Sequence, residues 1–427
     1  MNHLRNKRTS LTASLVLTGL ASTGTSVIWN GLPFIAKRDF GFSESENLSL
    51  YLLIGFVYVS GALSSGVCTR LLNPYISLRT IIAMLLITVA GVCSLPLFFA
   101  SDFVMWVSGG VAGFCSAWLW PIVESYLVAG RHGKEMRRAI GWWNLVWMVA
   151  VAGVMLAMAP LMEKHASMVI VGLGVMNLIA IGVLPWYAKN PPVHEEAVSK
   201  KHVPDGYREL LKGARVLLPL SYVFNGLLAP LLPFIFASIA IDIFWQTPVA
   251  STWMVSRVLA TALMWHFESW GQSPGDCPHE NKPKVSNRHN SSLHLGGQSP
   301  GDCPHLSGWN GKWSILWGAL FVMGMGFVCI LSAVSLPILI FGLVAFGAGM
   351  GVTYYAALYY AMAVGNAKVD AGGKHEAFIG GGYMVGPILG LASLQFASTS
   401  FTPIIYVVLG LLTIAVLALS MFWRNAR

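Results

Sequence analysis

Long apolar stretches alternate with short polar turns along the whole chain. A bilayer core takes roughly 20 apolar residues in a helix rising 1.5 Å per residue, and twelve stretches reach that length. Six precede a polar segment, at about 11–36, 48–68, 80–99, 103–130, 139–160 and 167–187. Six follow it, at about 216–239, 247–267, 313–334, 336–363, 378–397 and 403–423. The segment between them, 189–215, carries tandem Pro191 and Pro192, mixed charges and Pro204, which mark a linker with one short amphipathic turn around 207–211. The pattern therefore predicts an all-α membrane protein of twelve transmembrane helices in two six-helix bundles, 1–188 and 216–427, joined by a cytoplasmic linker. Connections of a few residues force neighbouring helices antiparallel, and an even count places both termini on one side.

Composition agrees with that reading. Soluble domains carry about a quarter charged residues, whereas this chain of 427 has 11% charged and 55% hydrophobic. Its formal net charge of +9 would suggest a nucleic-acid partner in a soluble protein. The placement of the cations argues otherwise. With both termini cytoplasmic, twenty-three Lys and Arg fall in inside segments, three (Lys37, Arg38, Lys164) fall outside and Arg257 lies within a span. Basic residues accumulate in cytoplasmic loops, so the charge belongs to topology and no nucleic-acid partner is expected. The expected location is a bacterial inner membrane, with lipid as the surrounding partner and the protein a monomer. The first apolar stretch is too long for a cleaved signal and reads as a span, with the chain starting at Met1. Of six cysteines, Cys68, Cys93, Cys115 and Cys329 fall in spans and Cys277 and Cys303 in a polar loop, which is no disulfide framework.

Two features concern the halves. Asn30-Gly31-Leu32-Pro33 in the first span is echoed by Asn225-Gly226-Leu227 followed by Pro230 in the seventh. Gly109 and Gly113 followed by aromatics in the fourth are echoed by Gly347 and Gly351 followed by tyrosines in the tenth. A relation of span n to span n+6 is the one expected of parallel repeats, so the bundles should be pseudo-symmetric. The second feature is GQSPGDCPH, which occurs at 271–279 and again at 297–305. Its composition predicts a disordered inserted loop over 270–311. Cys277, His279, Cys303 and His305 offer zinc-ligand chemistry, but the Cys-x-His spacing is not that of zinc fingers. The repeat reads better as an insertion tolerated at low entropic cost, and no metal or other cofactor is expected.

Few residues carry chemistry inside the spans. Arg257 lies near the middle of the eighth, where an unpaired cation costs about 2.5–3.5 kcal/mol on insertion scales. It is either an anchor for an anionic or polar solute group or a structural arginine bonded within the bundle. Glu124, on the same helix face as Trp120, is either a site that takes up and releases a proton or one partner of an inter-helix pair. Mid-span aromatics beside Asn144, Asn225 or glycine-rich faces are candidates to line a cavity. Asn30, Trp120, Asn225, Tyr354 and Tyr355 are the candidate solute contacts, with Arg257 as charge anchor and Glu124 as proton site.

The six-plus-six spans, the polar linker and the basic inside turns resemble the major facilitator superfamily. Arg131 to Arg138 matches the family's basic turn after span four, and His375-Glu376-Ala377 with Gly380, Gly382, Gly386 and Pro387 resembles the start of span eleven in permease-like members. Gly66-Val67-Cys68-Thr69-Arg70 stands where the family carries a glycine-and-acid signature but has no acid, and the antiporter signature of span five is absent. The resemblance implies a secondary transporter of a small organic solute that rocks about a central cavity lined mainly by spans one, four, seven and ten. It implies no enzyme. A non-transporting membrane sensor built on the same bundle is the rival reading, and no appended signalling domain supports it.

Overall fold

The computed structural model describes residues 8–131, 133–192, 205–266, 307–364, 369–396 and 401–426. Among them there is no strand. The long helices are α1 (Leu11–Phe40), α2 (Glu44–Leu72), α3 (Leu78–Cys93), α4 (Phe103–Val128), α5 (Gly133–Ala157) and α6 (Met168–Ile181), then α7 (Asp205–Ser238), α8 (Ile243–His266), α9 (Ser307–Leu331), α10 (Leu336–Val364), α11 (Val369–Phe396) and α12 (Thr402–Asn425). All but α8 are, with their end turns, long and apolar enough to cross a membrane. α8 carries Gln246, Arg257 and several hydroxyls, yet its 24 residues extend about 36 Å at 1.5 Å each, longer than a bilayer core.

Local chemistry starts and stops these helices. Ser10 accepts from the Ala13 amide at 3.1 Å to begin α1, and Ser43 with Glu46 forms a capping box that begins α2. α4 ends before Gly130 at φ +68°, where only glycine is free of a Cβ penalty. Arg131 then folds back, fully buried, and donates to the carbonyls of Tyr126 (3.2 Å), Leu127 and Thr9 (3.0 Å). The basic turn expected after span four thus caps α4 and fastens it to the start of α1.

Packing follows one rule. In the first half α1 packs on α4, α5 and α6, α2 on α4, and α3 on α4 and α6. Adding six to each number gives the main contacts of the second half: α7 on α10, α11 and α12, α8 on α10, and α9 on α10 and α12. The halves meet along α2 with α11 and α5 with α8, two seams related by the same shift. α11 also rests on α4, and α2 on α7. At the end away from the termini, Asn47 of α2 donates to the carbonyls of Pro33 (3.2 Å) and Pro230 (3.3 Å), and Lys37 donates to that of Pro233 (2.8 Å). Nearer the termini, Trp142 of α5 meets Trp265 of α8 edge to face at 5.3 Å. Contacts between the halves therefore lie at both ends.

The structure moves the start of the seventh helix. α7 begins at Asp205, so residues 205–215 extend the seventh helix, with Tyr207, Leu210, Leu211 and Ala214 buried on one side. Their apolar spacing outweighs the charged residues between them. The repeated block with Cys277, His279, Cys303 and His305, and the linker stretch 193–204, lie outside the described residues.

Small residues bring α8 and α10 together. A methyl group on Gly351 would come 2.8 Å from the Arg257 carbonyl oxygen, and one on Gly347 would collide with that of Trp253. Gly351→Leu is expected to cost about 1–3 kcal/mol by overpacking. A lowered unfolding temperature in detergent checks this, and an unchanged one would contradict the close packing.

Candidate functional site

α1 is not one continuous α-helix. Val27–Gly31 forms a π turn with bonds five residues apart, and Pro33 offers no amide to the Ile28 carbonyl in that register. The freed Ile28 carbonyl accepts from Tyr51 at 3.0 Å. The irregular turn presents Trp29 and Asn30 to a cavity between the two halves. Ser22, Thr25 and Ser26 continue the α1 wall, and α5 contributes Trp143, Trp147 and Val151. From the second half come Trp253, Met254 and Arg257 on α8, with Glu376, Ile379 and Tyr383 on α11. Tyr58, Trp120, Tyr222 and Tyr354 complete the lining from α2, α4, α7 and α10. The volume is about 80 Å³, room for roughly half a dozen waters.

This lining departs from the expected one. α4, α7 and α10 supply one residue each, while α5, α8 and α11 supply three each. Long aromatic and charged side chains on the seam helices reach across and take the space.

Arg257 is 1% exposed. Its Nη2 donates to the Tyr222 hydroxyl at 3.1 Å, and Nη1 has only the Met350 sulfur at 3.9 Å. Nε has no protein partner, and no acid is ion-paired with Arg257 among the described residues. Its charge is met by ring faces instead: Cζ lies 4.7 Å from the centroids of Trp147 and Tyr354 and 5.8 Å from that of Tyr222. Such contacts return about 0.5–2 kcal/mol each but leave the in-plane donors of the guanidinium unused.

Rings also join the halves. Trp29 stacks on Tyr383 at 3.9 Å and Trp147 meets Tyr354 at 5.5 Å, while within the second half Tyr222 meets Tyr383 at 5.1 Å. Beneath this cluster, toward the termini, Tyr58 of α2 donates to the Glu376 carboxyl. Glu124, 4% exposed, sits one turn from Trp120 on α4 and faces α11, where a methyl on Gly372 would come 2.8 Å from its Oε2. Gly372 and Glu376 are one turn apart, so the two carboxyls lie in the same layer.

Of the residues singled out in the sequence, Asn30, Trp120, Arg257 and Tyr354 line the cavity together. Asn225 does not; it is buried and donates to the Tyr383 hydroxyl at 2.7 Å, orienting a ring that does. Tyr355 does not either, since consecutive helical residues point about 100° apart, and it stacks on Tyr359 at 6.4 Å. Glu124 lies beside the lining rather than in it. The apolar stretch begins at about 378, which leaves Glu376 outside the expected span beside Lys374 and His375. α11 starts at Val369 and carries them as its first turns. The readable signal was a single acid four residues ahead of Gly380 and the apolar run that follows.

Asn225→Ala removes the bond that fixes the Tyr383 hydroxyl. It is expected to lower stability by about 1–3 kcal/mol, the cost of a buried partner lost, and to raise Tyr383 mobility without emptying the cavity of its aromatic wall. Thermal unfolding of the variant beside Tyr383→Phe checks this; strict additivity in the double variant would contradict it.

Comparison with known proteins places the geometry. Residues 14–268 match the family model described as Major Facilitator Superfamily. No curated protein matches the sequence. Among solved structures, the nucleoside transporter NupG is 10% identical, covers 96% of this chain and 98% of its own, and superposes with a TM-score of 0.62. The human organic anion transporter MFSD10 (TETRAN) is 12% identical over 97% and 99%, with a TM-score of 0.59. With a matching fold, membrane-length helices and a family match over more than half its length, this chain belongs to the Major Facilitator Superfamily and is a multi-pass membrane transport protein.

Proposed function

We propose that the chain is a secondary active transporter that carries a small organic solute across the bacterial cytoplasmic membrane, with both termini cytoplasmic and the monomer as the working unit. The halves, 1–188 and 216–427, rock along the α2–α11 and α5–α8 seams so that the cavity opens to each side in turn. Asn30, Trp120, Arg257 and Tyr354 contact the solute, and Asn225 acts by holding Tyr383. One observation carries this reading: a buried arginine without a counter-ion faces a cavity at the junction of two pseudo-symmetric halves. A structural arginine spends more of its donors on strong acceptors of the protein, as Arg131 does on three carbonyls although its Nε also lacks a hydrogen bond.

The same reading gives Glu376 and Glu124 the proton. Glu376 lines the cavity, Glu124 flanks it, and both sit on the α4–α11 contact that joins the halves. Tyr58 on α2, Tyr222 on α7, Tyr354 on α10 and Tyr383 on α11 are titratable groups beside them, and Tyr58 donates to Glu376. A proton on this pair removes like-charge repulsion across the contact, which couples protonation to its closing.

Arg257→Ala is expected to express near normally and to lose solute uptake in vesicles; unchanged flux would retire the role given to Arg257. Glu376→Gln is expected to keep solute counterflow while losing accumulation driven by a pH gradient. Retention of gradient-driven accumulation in Glu124→Gln/Glu376→Gln would remove the proton from the mechanism.

A further inference from the structure

We infer that the solute is a small aromatic carboxylate bearing a hydrogen-bond donor, with its carboxylate on the free edge of Arg257. This deepens the transporter reading and rests on it. The argument begins with donors. A guanidinium has five N–H groups in a planar fork. At Arg257 one is used by Tyr222 and one by the weak acceptor Met350, which leaves the Nε–H and one hydrogen on each Nη with no protein acceptor. That open edge fits the two oxygens of a carboxylate, the geometry in which arginine binds such groups most selectively.

Charge narrows the class. Arg257 is the only basic side chain among those lining the cavity, and Glu376 lines it too. A monoanion matches one cation. A phosphate dianion would bring a second negative charge that nothing in the lining meets, and a neutral solute would leave the arginine without a counter-ion.

The walls supply the rest. Trp120, Trp143, Trp147 and Trp253 surround the space with ring faces and edges, which suit a flat ring. On the opposite side α1 offers hydroxyls and Asn30, whose Oδ1 is buried and accepts no hydrogen bond within the protein. An acceptor there calls for a hydroxyl or amino substituent on the ring. Ser22 and Trp143 likewise have a buried polar atom without a protein partner, and both face the same cavity. Four residues with such an atom thus line one cavity, where one ligand can meet them, while others, such as Asn144, Thr247 and Thr353, lie outside it.

The test compares 4-hydroxybenzoate, 4-hydroxybenzamide and uridine as probes of the full chain in nanodiscs, by calorimetry and tryptophan fluorescence. The acid is expected to bind at least about tenfold more tightly than the amide, as a charge-assisted bidentate pair requires. Arg257→Gln is expected to abolish that preference. Arg257→Lys keeps the charge but not the fork and is expected to bind the acid about tenfold less tightly, which covers the case of a poorly folding glutamine variant. No binding of the acid, equal binding of the amide, or a preference that survives Arg257→Gln would overturn the inference. Counterflow in vesicles separates it from the transporter reading. Exchange of uridine but not of the acid overturns the inference alone, whereas binding of the acid without any counterflow upholds the inference and overturns transport.

Discussion

Hydrocarbon offers no hydrogen bonds, so each polar group within the bundle must find a protein partner or face a cavity. Most find one. Tyr51 takes up the Ile28 carbonyl freed by the π turn, Asn47 bridges two proline carbonyls, and Arg131 closes the end of α4. Ser22, Asn30, Trp143 and Arg257 each keep a buried polar atom without a protein partner, and all four face one space. Others, such as Asn144, Thr247 and Thr353, lie away from it, so what marks the cavity is that its unmet groups include a buried charge.

The same constraint shapes how the halves touch. Seams made of ring stacking and small residues, such as Trp29 on Tyr383 and Gly55 of α2 against the α11 backbone, hold without fixed ion pairs among the described residues. Such surfaces can slide and separate at lower cost than a network of buried charges, whose separation strands each partner in hydrocarbon. The carboxyl pair on α4 and α11 is the exception, and it sits on one of the contacts between halves, with α2 on α7, that have no equal under the six-helix shift among the described residues. α5 and α10 do not pack as α4 and α11 do. Asymmetry in an otherwise repeated architecture thus coincides with the ionisable groups.

Much of the fold was legible because lipid imposes a simple length rule. Twelve spans, their alternation and the repeat relation could be read from apolar runs and from Asn-Gly-Leu placed near proline in the first and seventh. Boundaries were less legible where a helix begins among charges: α7 starts at Asp205 and α11 at Val369, inside stretches that read as polar turns. That error hid Glu376. Arg257 was legible as the one basic residue in mid-span, and Asn30 through its motif. Tyr355 was misplaced because adjacency along a helix is not adjacency on its face, and the Asn30–Asn225 echo concealed different duties. The pairing of Trp29 with Tyr383, or of Arg257 with Trp147, depends on two halves meeting in space. No single span carries a signal for it.

The central claim is that two pseudo-symmetric halves rock about a cavity built on Arg257. Spin labels in a cysteine-free background test it most directly, with one pair at Phe98 and Ser238 at the end away from the termini and one at Leu71 and Met421 at the other. All four residues are exposed. The account predicts two populations in which one distance lengthens as the other shortens. A single fixed distance at each end, or both distances lengthening together, would contradict it.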